Sequence, residues 1–492
     1  MRRGALAFAL ATLLFGRQIA AWSDRDNRYL YHWQRADGWY LIAAVLLTAV
    51  LLFTMVEVLR RAGGARVRRG LGLAFALALG QVLVGLVLAP DAEKPFEGAQ
   101  LASFTVLGLT LWWWRRAPGR VVRVATTAAL LAVPLGPILF LQILSWRSWP
   151  LCGPPRAGPP ARPGARPVYV LLFDEWSLAR SEGPDGRFLP ELVNLRRLAA
   201  MGTMYTEARA PGDATLRSIP RLLYGENGEV VAGNGRALWR IEDSVVPALE
   251  RRNLFRRARA AGYRTELAGW YLPYAALVGD DLDACRAWPD IPKRGGPARL
   301  VDLGWANLQY LPDPVSRWAW RRLYSSWYSR NWVTLNRHVE REMVRLAREA
   351  PANALVLVHL PLPHAPFVFE ADGSYRGRFP GARMSGGSDD YRRHLRYLDL
   401  VLGRFLDAAA AAGRLDSAVI VVTSDHSWKK DPDKTEHERE RLRRVPLVVK
   451  RVGVAGGTLV QTRTCLLDLP RLVGGDPPLA GLAPWTPDCS AP

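Results

Sequence analysis

Three apolar runs in the sequence are each followed by acidic or imidazole side chains. The side chains are Asp174-Glu175, His364 and Asp425-His426, which follow the runs at 168–173, 354–360 and 418–423. Continuous apolar runs of this length are typical of strands that a parallel sheet buries on both faces. Ligands bind at the carboxyl ends of such strands. The sequence therefore predicts that these polar groups meet at one edge of a sheet.

Carboxylate and imidazole groups that meet in this way form a candidate metal site, for which an ordinary polar loop is the alternative. A mixed set of these ligands suits Zn²⁺ or Mn²⁺ better than Ca²⁺, which prefers oxygen ligands throughout. His359 lies in the middle of an apolar run, and we interpret it as a core residue. His338 and His394 lie in helical patterns, and we interpret them as structural.

The elements that must position these side chains lie in residues 168–475. Apolar runs alternate there with helical patterns, which predicts an α/β domain with a mainly parallel sheet sandwiched by helices. The predicted helices cover 189–202, 332–350 and 391–413, and further strands are predicted in 255–270 and at 444–450.

Residues 1–147 are predicted to form a transmembrane domain of four or five helices. A spanning helix needs about 20 mostly apolar residues. The run at 4–16 is marginal, because Arg17 ends it; we favour a spanning helix over the core of a signal peptide. The stronger runs lie at 39–59, 71–89, 99–114 and 121–146. A helical bundle buried in a soluble protein is the alternative.

Arginine distribution predicts the orientation of these helices. The loops 60–69 and 115–120 are rich in arginine, whereas the loop 90–98 between them is mostly acidic. Cytoplasmic loops carry the positive charge, so the last helix exits on the outer side. The sequence predicts a multi-pass cytoplasmic (inner) membrane protein with its catalytic domain on the periplasmic or extracellular side. Residues 148–167 form a semi-rigid Pro/Gly/Arg linker that we do not expect to pack, and 476–492 form a C-terminal tail.

The net charge of +21 arises mostly from scattered arginines. Because no nucleic-acid-binding motif accompanies them, we predict contact with an anionic lipid bilayer and no nucleic-acid partner. The four cysteines, Cys152, Cys285, Cys465 and Cys489, all lie beyond the apolar third and form no CxxC pair. This pattern is typical of disulfides in an oxidising compartment. Three pairings remain open, as does the alternative of free cysteines.

The segment "GDATLRSIPRLLYG" (212–225) supplies a candidate nucleophile. It resembles the motif C/S-x-P-S-R-x-x-L-L-x-G of the alkaline-phosphatase/sulfatase superfamily, with Thr215 in the nucleophile position. The residues that keep the register are Ser218, Leu222, Leu223 and Gly225. The threonine and the membrane helices make the chain most similar to phosphoethanolamine transferases and lipoteichoic-acid synthases.

The resemblance implies a set of site residues and one or two Zn²⁺ or Mn²⁺ ions. It places metal ligands at Glu175, Thr215, Asp425 and His426, with Asp174 as a further candidate, and substrate-binding groups at His364, His437 and Lys434. Two departures matter. Ser427 replaces the glycine that usually follows the Asp-His pair, and the cysteine that sulfatases convert to formylglycine is absent, which argues against sulfate-ester chemistry through that group.

The function that the resemblance implies is a membrane-anchored, metal-dependent phosphoryl-alcohol transferase. It would transfer phosphoethanolamine or phosphoglycerol from a membrane phospholipid, through Thr215, to an acceptor alcohol that the sequence does not identify. A sulfatase-like phosphodiesterase or phosphatase, which uses water as the acceptor, is one alternative. A non-catalytic membrane-anchored module is the other.

Overall fold

The structure, a computed structural model, describes most of the chain. The described residues are 2–23, 35–87, 97–145, 151–159, 165–233, 236–289, 294–308, 323, 325–377, 387–429, 431 and 443–469. The chain divides into two compact units. We call residues 1–148, 292–328 and 380–382 the helical unit, and residues 149–291, 329–379 and 383–492 the sheet unit.

The α-helices and strands of the described residues are numbered in chain order. The helices are α1 (Arg2–Ser23), α2 (Arg35–Ala62), α3 (Ala65–Val87), α4 (Glu97–Arg116), α5 (Pro118–Ala132), α6 (Leu135–Leu144), α7 (Val193–Met201), α8 (Thr215–Tyr224), α9 (Leu254–Ala260), α10 (Tyr274–Val278), α11 (Pro297–Asn307), α12 (Ser325–Glu349) and α13 (Ser388–Ala411). The strands are β1 (Val168–Asp174), β2 (Thr203–Tyr205), β3 (Ala208–Arg209), β4 (Glu229–Gly233), β5 (Arg236–Ile241), β6 (Ser244–Pro247), β7 (Arg264–Trp270), β8 (Ala284–Trp288), β9 (Ala354–Pro363), β10 (Val419–Ser424), β11 (Leu447–Lys450), β12 (Thr458–Val460) and β13 (Thr464–Cys465).

The helical unit turns many large apolar side chains outward. Leu131 is 76% exposed and Leu141 is 71% exposed, which a water-soluble helix would not favour. Helices form over most of the described part of each predicted apolar run. Among the described residues, three segments are long and apolar enough to cross a membrane, namely Ala36–Ala62, Ala65–Val84 and Pro118–Leu144. These three helices are candidate membrane spans.

Helix α11 belongs to the helical unit, although the sequence analysis placed this part of the chain in the catalytic domain. It packs against α2. The Arg299 guanidinium pairs with the Asp37 carboxylate at 3.0 Å, and both side chains are only 6% exposed. A buried charge requires an opposite charge nearby. A basic residue on α11 thus satisfies an acidic residue in the first turn of α2, which the local sequence pattern cannot reveal.

The sheet unit is built on eight strands in the order β12-β2-β11-β10-β1-β9-β7-β8. The five strands β10, β1, β9, β7 and β8 run parallel, whereas β11 is antiparallel to both of its neighbours. The predicted α/β architecture with a mainly parallel sheet is therefore confirmed. Strand β1 lies between β10 and β9, with Phe173 in register with both Ser424 and Leu360. This order brings the three predicted polar strand ends to the same edge.

Helices pack on the sheet and on each other through specific contacts. Tyr169 of β1 packs edge-to-face on Phe405 of α13, with ring centroids 5.2 Å apart. The Asp399 carboxylate of α13 accepts hydrogen bonds from the backbone N–H groups of Asn194 and Leu195. These N–H groups lie in the first turn of α7, where no intrahelical acceptor is available. A residue about 200 positions away in the chain, Asp399, therefore caps the start of α7.

Residues 151–158 pack against the sheet unit, so the prediction of an unpacked linker is wrong for this segment. A disulfide joins Cys152 to Cys285 of β8. The backbone N–H of Arg156 donates to the Asp283 carbonyl, and the Leu151 carbonyl accepts from Ala275. The backbone of this segment therefore forms hydrogen bonds with the protein, whereas its Pro/Gly/Arg composition predicts a backbone exposed to water. Cys465 is also disulfide-bonded, and no described cysteine is free, which confirms the disulfide prediction for these three residues.

Candidate active site at the carboxyl edge of the sheet

Strand β1 ends in a turn with an unusual backbone conformation. Glu175 has φ +60°, which lies in the left-handed region that a non-glycine residue rarely adopts. Its backbone N–H donates to Asp425 Oδ1 at 3.2 Å, and the next N–H, of Trp176, donates to Ser424 Oγ at 2.9 Å. The loop after β10 therefore holds the turn after β1 in place. Strained turns of this kind cluster at functional sites.

Tyr391 of α13 holds the same turn from the other side. Its hydroxyl donates to the Glu175 carbonyl at 2.7 Å and accepts from the Ser177 N–H at 2.8 Å. Its ring stacks on Trp428, with centroids 4.2 Å apart and planes 8° apart. One buried phenol thus contacts both loops that provide the acidic and imidazole groups.

Thr215 is the first residue of α8. The preceding Ala214 offers no side-chain cap, and the Arg217 N–H donates to the Ala214 carbonyl, so the Thr215 and Leu216 N–H groups are the ones that an anion could use. Helix α8 ends at Tyr224, and the following Gly225 has φ +71°, a left-handed conformation that favours glycine. The Ser218 hydroxyl donates to the Asp425 carbonyl and joins α8 to the β10 loop.

The structure brings the Thr215 hydroxyl together with three of the predicted residues. Thr215 Oγ1 lies 3.2 Å from His426 Nε2 and 3.5 Å from both carboxylate oxygens of Asp174. His426 Nε2 lies 3.4 Å from Asp425 Oδ2. His426 Nδ1 lies 2.9 Å from the Ser427 carbonyl, which can only accept a hydrogen bond. Nδ1 therefore carries the proton, and the lone pair of Nε2 faces Thr215.

Glu175 and His364 form a second group beside the first. His364 Nε2 lies 4.0 Å from Glu175 Oε2, and the imidazole is 34% exposed, so it reaches solvent. Its Nδ1 donates to the Ala365 carbonyl. The Glu175 carboxylate thus faces His364, while its backbone N–H contacts Asp425.

His359 is a site residue that the sequence analysis interpreted as core, and this interpretation is incomplete. The residue is fully buried in β9, opposite Leu172. Its Nε2 nevertheless lies 3.6 Å from Asp174 Oδ2. One ligand atom each from Asp174, His359 and Asp425 lie within 4.8 Å of one another. The sequence feature that could have identified His359 is a single histidine within a continuous apolar run, since a buried imidazole requires a polar partner.

The two aspartates have opposite pKa shifts. Burial opposes the charge of Asp174, but the nearby imidazoles of His364, His359 and His426 outweigh it and lower the pKa of Asp174 well below its usual value. Burial and the Asp174 charge together raise the pKa of Asp425. Two buried carboxylates this close repel each other unless positive charge lies between or beside them. The arrangement therefore favours a bound cation.

The remaining histidines and Lys434 differ in how they relate to the site. Burial opposes the charge of the His364 imidazole, but Glu175 and Asp174 outweigh it and raise the pKa of His364. Lys434 and His437 lie outside the described residues. His394, interpreted as structural, accepts a hydrogen bond from the Phe369 N–H at 3.0 Å and lies on α13.

Comparison with protein families identifies the sheet unit. The model of the family described as Sulfatase matches residues 173–469, which is more than half of the chain. The chain belongs to the sulfatase family. The match begins at the end of β1 and includes Thr215, the β10 loop and β11. No curated protein sequence matches the chain.

Several solved structures are similar to this sulfatase chain. Ps i-CgsB in complex with k-i-k-neocarrahexaose is 15% identical, and the match covers 63% of this chain and 71% of that chain with a TM-score of 0.44. A phosphonate monoester hydrolase of Agrobacterium radiobacter is 18% identical, and the match covers 63% of this chain and 73% of that chain with a TM-score of 0.41. A protein in the alkaline phosphatase superfamily from Vibrio parahaemolyticus is 15% identical, and the match covers 64% of this chain and 67% of that chain with a TM-score of 0.40.

Enzymes with the sulfatase fold are metal-dependent, and the residues of this chain fit a divalent cation. His359 Nε2 and Asp425 Oδ2 are buried and have no hydrogen-bond partner in the part of the chain that the structure describes. Such atoms destabilise a protein by about 1–3 kcal/mol each unless another group binds them. A cation next to Asp174, His359 and Asp425 would satisfy both atoms and neutralise the two carboxylates.

Proposed function

We propose that the chain is a membrane-anchored phosphoryl-alcohol transferase that acts on a phospholipid head group through Thr215. The proposal rests on one observation above all. The Thr215 hydroxyl lies at the start of α8, 3.2 Å from His426 Nε2 and 3.5 Å from Asp174, inside a cluster of buried acidic and imidazole groups. A hydroxyl in this environment has the surroundings of an activated nucleophile.

Asp174, Glu175, Asp425, His426 and the Thr215 hydroxyl are the groups that would hold one or two Zn²⁺ or Mn²⁺ ions. When bound, such an ion would lower the pKa of the Thr215 hydroxyl and neutralise charge on the phosphoryl oxygens. The mixed carboxylate and imidazole set supports these metals over Ca²⁺.

In the first step, Thr215 Oγ1 forms a bond to the phosphorus of the lipid head group. The Thr215 hydroxyl transfers its proton to a carboxylate oxygen of Asp174, 3.5 Å away, because the one lone pair of His426 Nε2 would be bound to the ion. The bond between phosphorus and the glycerol oxygen of diacylglycerol breaks. The Thr215 and Leu216 N–H groups at the start of α8 stabilise the negative charge that develops on the phosphoryl oxygens.

His364 is positioned to protonate the leaving glycerol oxygen. It is the predicted substrate-binding histidine among the described residues, and it is partly exposed beside Glu175. In the second step, the acceptor hydroxyl attacks phosphorus, the bond from phosphorus to Thr215 breaks, and Thr215 recovers its proton. His364 then accepts the proton of the attacking alcohol, as the reverse of its first role.

The membrane setting of this reaction is part of the proposal. The three apolar helices support residence in the lipid bilayer, where a phospholipid donor is abundant. The Cys152–Cys285 disulfide supports a location of the sheet unit on the periplasmic or extracellular side, because disulfides persist in oxidising compartments. The arginine-rich loops 60–69 and 115–120 would then lie in the cytoplasm.

The test uses the full chain in nanodiscs that contain a head-group-labelled phospholipid and Zn²⁺ or Mn²⁺. We expect release of diacylglycerol and a mass increase on Thr215 that equals the phosphoryl head group. Added alcohols should accept the label in preference to water. Label that passes only to water would instead assign the hydrolase function.

Two variants control this experiment. Thr215→Ala should abolish both the adduct and the turnover, whereas Thr206→Ala removes a buried threonine hydroxyl away from the site and should leave both unchanged. Turnover that persists in Thr215→Ala would contradict the threonine mechanism. A metal-loaded wild-type chain with neither adduct nor turnover would support a non-catalytic module.

A further inference from the structure

His359 and Tyr274 form a pair of buried polar side chains that the motif residues do not include. Tyr274 begins α10, directly after β7, and His359 lies in the neighbouring strand β9. The Tyr274 hydroxyl lies 2.8 Å from His359 Nδ1, and both residues are fully buried. The other ring nitrogen, Nε2, faces Asp174. The imidazole thus links a phenol on one side to the acidic cluster on the other.

We propose that His359 is a ligand of the metal ion and that Tyr274 is the residue that positions it. The inference rests on the proposed function, because it assigns an additional ligand to the same metal site. It adds a nitrogen ligand from the interior of a strand, whereas the other ligands lie at the ends of β1 and β10 and at the start of α8.

The position of His359 Nε2 supports ligation over a simple hydrogen bond. At 3.6 Å from Asp174 Oδ2, it is too far for a good hydrogen bond, and it has no hydrogen-bond partner in the described residues. Asp425 Oδ2, also without a hydrogen-bond partner, belongs to the same cluster of ligand atoms within 4.8 Å. Two such atoms from different strands that point to a common space are the arrangement that a cation requires.

Tyr274 can supply what a ligating imidazole needs at its second nitrogen. A histidine that binds a metal through Nε2 must carry its proton on Nδ1 and usually donates it to a neighbouring oxygen. The Tyr274 hydroxyl oxygen can accept this proton at 2.8 Å.

The sequence around Tyr274 also allows its close approach. Gly269 of β7 lies beside the ring, and a Cβ at this position would lie 3.0 Å from the ring carbon Cε2 and 3.1 Å from the hydroxyl oxygen. Both distances are shorter than an ordinary van der Waals contact. A glycine in β7 therefore leaves the space in which the phenol reaches His359.

The test measures Zn²⁺ binding to the full chain in detergent micelles after removal of metal by a chelator. Isothermal titration calorimetry should show an affinity at least about 100-fold lower for His359→Gln and about 10- to 100-fold lower for Tyr274→Phe. X-ray absorption of the zinc-loaded protein should show one imidazole fewer in His359→Gln than in the wild type. His394→Gln is the matched control, since it removes another fully buried histidine of the sheet unit and should keep the wild-type affinity.

The outcomes separate this inference from the proposed function. Wild-type affinity and an unchanged imidazole count in His359→Gln, or wild-type affinity in Tyr274→Phe, would overturn the inference while the metal site itself stands. If wild-type protein binds no Zn²⁺, the inference and the metal-dependent proposal both fail. If His359→Gln does not fold, Tyr274→Phe decides the question, because it keeps the ring and removes only the hydroxyl.

Discussion

The helical unit and the sheet unit depart from the usual distribution of side chains in opposite directions. The helical unit exposes large apolar side chains, such as Leu101 at 71% and Leu131 at 76%. The sheet unit instead buries ionisable ones, such as Asp174 and Asp425, at one edge of its sheet. Both departures cost free energy in water. The first departure agrees with the candidate membrane spans of the helical unit, and the second agrees with the candidate metal site of the sheet unit.

The comparison also shows how differently the two units use buried charge. The helical unit pairs its buried carboxylate Asp37 with Arg299 from its own chain. The sheet unit leaves Asp425 Oδ2 without a hydrogen-bond partner among the described residues. A satisfied pair stabilises a fold, whereas an unsatisfied group is available for binding. The substitutions and conditions below should therefore change the activity or stability of one unit more than that of the other.

The largest expected effect is the loss of turnover in Thr215→Ala. Removal of a nucleophile lowers turnover by about 10³-fold or more. Thr215→Ser keeps the hydroxyl and should retain part of the activity. The measurement is the rate of diacylglycerol release in nanodiscs, with melting temperature as a check on folding. Equal rates in the alanine and serine variants would show that the hydroxyl is not the nucleophile.

The next effect concerns the helical unit. Arg299→Ala removes the guanidinium that pairs with the buried Asp37 carboxylate, which should destabilise the protein by about 3–5 kcal/mol. Arg3→Ala is the control, because the guanidinium of Arg3 is 53% exposed where it pairs with Glu57. An exposed pair contributes about 0–1 kcal/mol. Thermal unfolding in detergent should rank the two variants in this order, and a similar loss in both would contradict the importance of burial.

Metal removal should destabilise only the sheet unit. A ligand at 100 times its dissociation constant stabilises the folded state by about 2.7 kcal/mol. Zn²⁺ should therefore raise the melting temperature of the stripped wild-type protein. In Asp425→Asn this increase should be absent, while the stripped variant itself should melt no lower than the stripped wild type, because the change removes repulsion with Asp174. A full Zn²⁺ response in Asp425→Asn would exclude that carboxylate as a ligand.

The smallest effect is a pH dependence that arises from His394. Burial lowers the pKa of the His394 imidazole to about 3, against 6.5 for the free residue. The folded state therefore binds fewer protons than the unfolded state between these values, so this contribution to stability is complete above pH 6.5 and decreases as pH falls toward 3. From pH 7 to pH 5 the expected loss is about 2 kcal/mol.

His394→Gln tests this dependence. The glutamine amide oxygen can replace Nε2 as the acceptor of the Phe369 N–H, but it does not titrate. The melting temperature of the variant should therefore fall less between pH 7 and pH 5 than that of the wild type. An identical fall in both proteins would assign the pH dependence to other groups.

The sequence was sufficient for the parts of the site that follow strands. Continuous apolar runs predict β1 and β10, and the change to Asp174 and Asp425 marks their ends because buried strands do not tolerate unpaired charge. It was not sufficient where the partner is distant in the chain. His359 resembles a core residue until Asp174 lies beside it, and Arg299 resembles a surface residue until α2 provides Asp37. Residues 151–158 resemble a free linker until Cys152 meets Cys285.

The Tyr391 phenol has a consequence for how the site assembles. Because one hydroxyl holds the backbone on both sides of Trp176, and its ring supports Trp428, α13 stabilises both loops at once. The preorganisation of the reaction centre is thus a property of a single helix–loop junction. A mutation that shifts α13 by a fraction of a turn would impair nucleophile, acids and imidazoles together, although it touches none of them.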